Sequence, residues 1–412
     1  MTGDLGAILR AGFAAVPARH RATARALMGC RTGELGHTRH ACPDCGHDEL
    51  VPRGCGNRHC PRCQGRLART WLQRQQAALL DVPYFHVVGT LPHALLPLCA
   101  MAPRELYALL FAAFAQTLRQ LGRERLGGEL GATMVLHTWG QRLNLHPHLH
   151  AIVAGGALDA QGRWHRVKSR GFLLPVGVVA AVFRGKFMAG LTRLKERGAV
   201  PEPPGGWPKL WRELGEAKTW VVYCKPPFAG PESVLAYLSN YTHRVAISER
   251  RIERFDAAAG TVRFRYRDYR VKAHAHATGR VKAGACATGA EDGAQKVETL
   301  ATEEFVRRFC RHLLPRSFTK IRHYGFLANH ARKRELPRVR EALAGTSRRR
   351  KAPPPATPKP EWKPACPHCG GTRTVCIATV LPDGRIVVLP SAARLVLWPA
   401  VSPVERQPRA PP

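Results

Sequence analysis

"LNLHPHLHAIVAGG", Leu143 to Gly156, sets three histidines at every second position and runs straight into an apolar segment. Side chains two apart on an extended strand share a face. His148 and His150 therefore offer two imidazoles on one side of a strand, with Leu149 turned to the core behind them. His146 has the same parity, but Pro147 favours a bend at the strand edge. Just upstream, "LHTWGQ" (Leu136–Gln141) puts His137 and Gln141 on a common face. A short polar turn at Arg142–Asn144 joins the two stretches, which predicts a hairpin that lays His137 and Gln141 beside the histidine pair. An isolated H-x-H pair is more often a set of partly exposed surface histidines; the second polar set favours a metal centre here. Two imidazoles and one neutral third ligand, Gln141 or His137, leave room for water or phosphate and suit Mg²⁺ or Mn²⁺ as a Lewis acid. Two hydrolase patterns are excluded: no Asp follows soon after His150, and no run of alternating strands and helices surrounds the motif.

Outward from this hairpin the chain reads as an α+β protein. Apolar periodicity predicts helices over 5–30 (broken near Pro17), 67–80, 103–121 and 176–198, and another opening at Pro231. "YFHVVGTLP" (Tyr84–Pro92) and "TWVVYC" (Thr219–Cys224) read as strands. "TVRFRYRDYR" alternates Val262, Phe264 and Tyr266 against Arg263, Arg265 and Arg267, the pattern of a half-buried strand with a basic face. The expected domains are an N-terminal helical and zinc module (1–80), a catalytic domain (81–272), an Ala/Gly-rich insertion loop (273–296), a basic helical extension (297–345), a Pro-rich disordered linker (346–365) and a small Cys-containing tail (366–412).

The 412 residues carry 64 Lys+Arg against 29 Asp+Glu, a formal charge of +35. That excess predicts a polyanionic partner, DNA, through phosphate contacts that release counterions. A basic subunit of a larger assembly is the alternative. No run of about 18 apolar residues predicts a membrane span. The opening residues lack a basic segment before an apolar one, so the expected location is the cytoplasm, in association with the bacterial nucleoid. There the 13 cysteines read as metal ligands or thiols before disulfides. Cys42-x-x-Cys45 and Cys60-x-x-Cys63 are two knuckles with the spacing of one structural zinc site. Cys30, Cys55, His37 and His59 read as packed or solvated neighbours. Cys366 and Cys369, with His368 and Cys376, are too few to close a site alone. Arg58 and Arg62, beside the second knuckle, favour DNA docking, together with Arg263, Arg265 and Arg267 and with Arg322 in the basic extension.

"AYLSNYTHR" places Tyr237 and Tyr241 one helical turn apart, with Val234, Leu235 and Leu238 for packing. Such a pair is commonly an aromatic contact of the core; next to a metal site it can also be a pair of phenolic nucleophiles. With "NRHCPRCQ", "HVVGTLP", "LHTWGQ", "HPHLHAIVAGG", "YLSNYTHRVAIS", "RFRYRDYR" and "EFVRRFCRHLLPRSFTKIRHYGFLAN" in this order, the chain resembles the two-tyrosine, HUH-type (His-hydrophobic-His) rolling-circle transposases of the insertion-sequence ninety-one family. The resemblance implies an HUH-nuclease domain: a central antiparallel sheet flanked by helices, after a zinc-ribbon-like module. It implies His148 and His150 as the pair that binds the catalytic metal, and Tyr237 and Tyr241 as alternating nucleophiles. One would form a 5′-phosphotyrosine at the nicked element end and the other would act in strand transfer. Gly89 departs from the family, which usually has a bulky residue there. A rolling-circle replication initiator would share this chemistry. A non-catalytic zinc-ribbon DNA-binding protein would leave the tyrosines and the histidine run without a purpose.

Overall fold

The computed structural model describes residues 4–390 apart from 168–172, 217–219, 226–227, 229–232, 235–236, 239–241, 269–293, 347–364 and 373. Its helices are α1 (Leu5–Ala11), α2 (Arg21–Met28), α3 (Pro61–Gln76), α4 (Leu96–Met101), α5 (Pro103–Leu126), α6 (Val176–Glu196), α7 (Gly206–Glu216), α8 (Thr302–Cys310) and α9 (Arg332–Thr346). The early strands are β1 (His37–Ala41), β2 (Asp48–Pro52), β3 (Tyr84–Thr90), β4 (Glu129–Trp139), β5 (Leu145–Leu158), β6 (Trp164–Arg166) and β7 (Val222–Lys225). The later ones are β8 (Ile252–Asp256), β9 (Thr261–Asp268), β10 (Ala294–Ala301), β11 (Ile321–Tyr324), β12 (Val375–Val380) and β13 (Ile386–Val388). The described pairings are all antiparallel, so the expected α+β class with antiparallel sheets is what forms.

The chain divides into two units. One comprises Met1–Ala24 with Gly56–Arg350, the other Arg25–Cys55 with Lys351–Pro412. The division cuts through the N-terminal module expected at 1–80 and joins part of it to the tail.

In the larger unit one sheet runs β11-β4-β5-β3-β7, with β6 on β5. The predicted hairpin is β4–β5, in the register Val135 to His150 and His137 to His148. Alternation gives the sheet two unlike faces. Phe85, Val87, Leu136, Leu149 and Ala151 point to one side, into a core shared with α5 and α6 through Phe111, Phe114, Phe183 and Phe187. Burying each large apolar side chain contributes about 1.5–3 kcal/mol, so this face anchors the sheet. α5 starts at Pro103, whose missing N–H costs nothing at a first turn, and ends at Gly127 in the left-handed region (φ 77°), where the N–H closes on the Arg123 carbonyl. Gly89 lies on this apolar face. A Cβ there would stand 2.5 Å from Cε2 of Phe114, so the departure from a bulky residue is matched by a ring that fills the space.

The hairpin turn differs from the polar turn expected. Leu143 is fully buried and holds a positive φ of 58°, a costly conformation for a branched side chain. Its carbonyl accepts from His312 Nε2 at 3.1 Å, and Asn144 and Gly140 close the turn through a 2.9 Å backbone bond. Burial and this imidazole offset the strain.

A three-stranded sheet, β10-β9-β8, carries the alternating basic strand. Val262 and Phe264 are buried, and Arg263 and Arg267 are exposed, as the alternation predicts. β10 begins at Ala294, so the last three residues of the insertion loop expected at 273–296 are strand, because they complete the ladder with β9. Most of that insertion, and of the linker expected at 346–365, lies outside the described residues; Thr346 is the last residue of α9. α7 was not expected, although Trp207, Leu210 and Leu214 recur at helical spacing and are all buried.

The smaller unit is a four-stranded sheet in the order β13-β12-β1-β2. β1 pairs with its sequence neighbour β2 on one edge and with β12 on the other.

Candidate active site

The polar face of the β4–β5–β3 sheet gathers the histidines. His137 and His148 are cross-strand partners, and His150 follows two residues along β5. β3 flanks β5 on its other side with Val88 opposite His150, which puts His86 diagonally across from it on the same face. The ring of His137 lies 5.5 Å from that of His148 and 4.6 Å from that of His150. One ligand nitrogen from each of these three falls within 4.8 Å of the other two.

Burial sets their chemistry. Loss of hydration pushes His148 down to about 4 and His150 well below its ordinary value; the neighbouring imidazoles and Arg244 add to the effect. Both are therefore neutral at physiological pH and keep the lone pair that a cation needs. His148 Nδ1 lies 2.6 Å from the His146 carbonyl. A carbonyl only accepts, so Nδ1 carries the proton and Nε2 the lone pair. Three imidazoles within reach of one another, two of them neutral and one with its tautomer fixed, fit a divalent cation. Of the two expected third ligands, His137 completes this imidazole group. Gln141 sits in the turn at the cavity wall, and its main-chain carbonyl accepts from Arg251.

Tyr237 reaches the same face. Its neighbours Val234 and Leu238 are buried, as the helical spacing predicts, and its ring packs 5.1 Å from Phe228. The Tyr237 hydroxyl stands 2.6 Å from His86 Nε2 and 3.1 Å from His150 Nδ1, and those two nitrogens are 2.9 Å apart. Burial, and then the Lys225 charge, push His86 down to about 3, so it too is neutral. Sequence reasoning passed over His86. The signal was present: an imidazole inside an otherwise apolar strand, at even spacing from Tyr84 and Val88. Tyr241 lies outside the described residues.

A cavity of about 580 Å³ opens over the histidines. Its wall includes Arg142, Arg244, Arg251 and Arg267, a strongly positive lining suited to phosphate. Arg142 is held from behind by Glu298, at 2.8 and 2.9 Å.

The arginines chosen from the sequence for DNA are placed unevenly. Arg267 lines the cavity, and Arg263 and Arg265 stand on the basic strand beside Glu253. Arg58, Arg62 and Arg322 serve the protein itself. Arg58 donates to the carbonyls of Leu314, Pro315 and Phe318; Arg62 pairs with Asp4 at 2.7 Å and Glu249 at 2.8 Å; Arg322 lies 4.3 Å over the Phe111 ring. His59 accepts the Leu314 N–H at 3.2 Å and is a packed histidine.

The zinc ribbon expected from Cys42, Cys45, Cys60 and Cys63 is not the set that forms. Cys42 and Cys45 gather with Cys366 and Cys369, all four ligand atoms within 4.8 Å of one another. The cause is strand pairing: β1 ends just before Cys42 and lies antiparallel to β12, which begins just after the tail knuckle. Cys60 and Cys63 belong to the other unit, at the start of α3, where Cys60 is the N-cap residue.

Comparison with known proteins converges on one family. A family model described as "Putative transposase" matches residues 131–335, the span of the histidine hairpin and Tyr237, and one described as "Transposase zinc-binding domain" matches residues 6–91. A protein of Sinorhizobium fredii named "Putative transposase y4qJ" is 40% identical over 349 residues, 82% of each chain. The "Transposase for insertion sequence element IS801" of Pseudomonas savastanoi pv. phaseolicola is 29% identical over 353 residues, covering 83% of this chain and 77% of that one. No solved structure matches the chain. Family models and relatives agree: the chain belongs to the insertion-sequence ninety-one family of transposases.

Proposed function

We propose that the chain moves an insertion sequence by cutting and rejoining single-stranded DNA through tyrosine, in the manner of HUH nucleases and rolling-circle transposition. The observation that carries this reading is the Tyr237 hydroxyl, within hydrogen-bond reach of His150 and His86 at the rim of a three-imidazole group. His148 and His150, with His137 as third donor, would hold Mg²⁺ or Mn²⁺. Such an ion, when bound, polarises a phosphodiester and offsets charge in its transition state. The cavity arginines would hold the strand by its phosphates. His86 Nε2 and His150 Nδ1 fix where Oη points, so the nucleophile is aimed before DNA arrives. In the transfer, Oη bonds to phosphorus and the bond from phosphorus to the 3′ oxygen breaks. The phenol gives up one proton and the leaving 3′ oxygen takes one up. The products are a 5′-phosphotyrosine and a free 3′-hydroxyl. Tyr241 would be the second nucleophile, for strand transfer.

The test is a denaturing gel. With Mn²⁺ or Mg²⁺ and a single-stranded oligonucleotide carrying the element end, a covalent adduct is expected. It should vanish in the double variant Tyr237→Phe, Tyr241→Phe. Its persistence there would overturn the assignment. His148→Ala or His150→Ala should abolish cleavage and leave DNA binding largely intact; equal loss of binding would make the histidines structural.

A further inference from the structure

We propose that Cys42, Cys45, Cys366 and Cys369 form one four-thiolate zinc site, so that the C-terminal segment supplies half the ligands of a module otherwise assigned to the N-terminus. The matched zinc-binding domain ends at residue 91 and does not reach the second pair.

The two knuckles have the same build. In "CPDCGH" the Cys42 N–H donates to the His47 carbonyl at 2.8 Å, and the Gly46 N–H to the Cys42 carbonyl at 2.9 Å. In "CPHCGG" the Cys366 N–H donates to the Gly371 carbonyl at 2.7 Å, and the Gly370 N–H to the Cys366 carbonyl at 2.9 Å. Gly46 and Gly370 hold φ of 74° and 73°, which glycine adopts at no steric cost. The Cys60–Cys63 pair has no such turn: Gln64 follows it, and Cys63 is already helical. The recurrence of C-P-x-C-G at 42–46 and 366–370, and its absence at 60–64, is the signal in the sequence that selects the true partner.

Distances agree. Cys42 and Cys369 sulfurs are 3.7 Å apart, as are those of Cys45 and Cys366. That is far beyond a disulfide bond of about 2.05 Å. A tetrahedron of zinc–sulfur bonds near 2.3 Å has edges of about 3.8 Å. Stacked rings of His47 and His368, 5.7 Å apart, hold the knuckles together beside the sulfurs.

Zinc per full-length chain, measured by elemental mass spectrometry, tests this. Cys42→Ser with Cys45→Ser should lower it by one equivalent, and Cys366→Ser with Cys369→Ser by one. All four changes together should still remove only one. A tail variant that keeps its full zinc, or a combined loss of two, overturns the proposal. The unaltered protein gives a second readout should a variant fold poorly. In the zinc-loaded chain all four cysteines, including the exposed Cys45 and Cys369, should resist N-ethylmaleimide, and a chelator should make the four reactive together. Labelling of Cys366 and Cys369 in the zinc-loaded chain would equally sink it.

Discussion

His148 shows how much a single imidazole settles. Its Nδ1 proton is committed to a carbonyl, which leaves Nε2 to ligate. On the proposed reading, with His137 as third donor, the set would offer nitrogen and no carboxylate, which is softer than Mg²⁺ prefers. After chelation abolishes adduct formation, Mn²⁺ should restore it at a lower concentration than Mg²⁺, read from adduct yield against each ion. Equal potency would indicate an oxygen donor in the shell, Gln141 being the nearest candidate by sequence. His148 and His150 were legible because a period of two needs only one strand. His86 shows in sequence only as an imidazole inside an apolar strand; its place beside Tyr237 depends on which strand pairs with the far edge of β5, and no local pattern fixes that.

Elements were legible where they are amphipathic and locally closed. The β4–β5 hairpin and α5 follow from alternation, a Pro at a first turn and a Gly after the last. Gly89 shows the limit: in sequence it departs from family habit, in the fold it admits Phe114. Gly89→Ala should destabilise the chain by about 1–3 kcal/mol, because the ring must move within a packed core. A lowered denaturant midpoint checks this; an unchanged one would show that Phe114 has room to retreat. The knuckle pairing was misread for the opposite reason. Spacing along the chain favoured Cys60 and Cys63, whereas β1 finds its second partner in β12, far away in sequence.

At the scale of the whole molecule, the +35 charge and the buried neutral histidines pull on stability together. His86, His148 and His312 sit at about 3, 4 and 4 when folded, held down mainly by burial. Unfolded, each titrates near 6.5. Only the unfolded chain takes up these protons on mild acidification, so stability is full above about pH 6.5 and drains as pH falls toward 4. Denaturant midpoints in chelator should therefore be lower near pH 5 than near pH 7.5; equal midpoints would mean the histidines are protonated in the folded state. The order β13-β12-β1-β2 bears on synthesis as well. Between Ala41 and Val375 lie 333 residues. At ~5–20 residues per second a ribosome needs roughly 15–70 s to cross them. Through that interval β1 and β2 are a bare ribbon, which two strands alone barely sustain in water. A chain cut short before Val375 would keep β3, β4, β5 and β7 and still lack two of the four strands of the smaller sheet, so that sheet closes only after the histidine strands have been made.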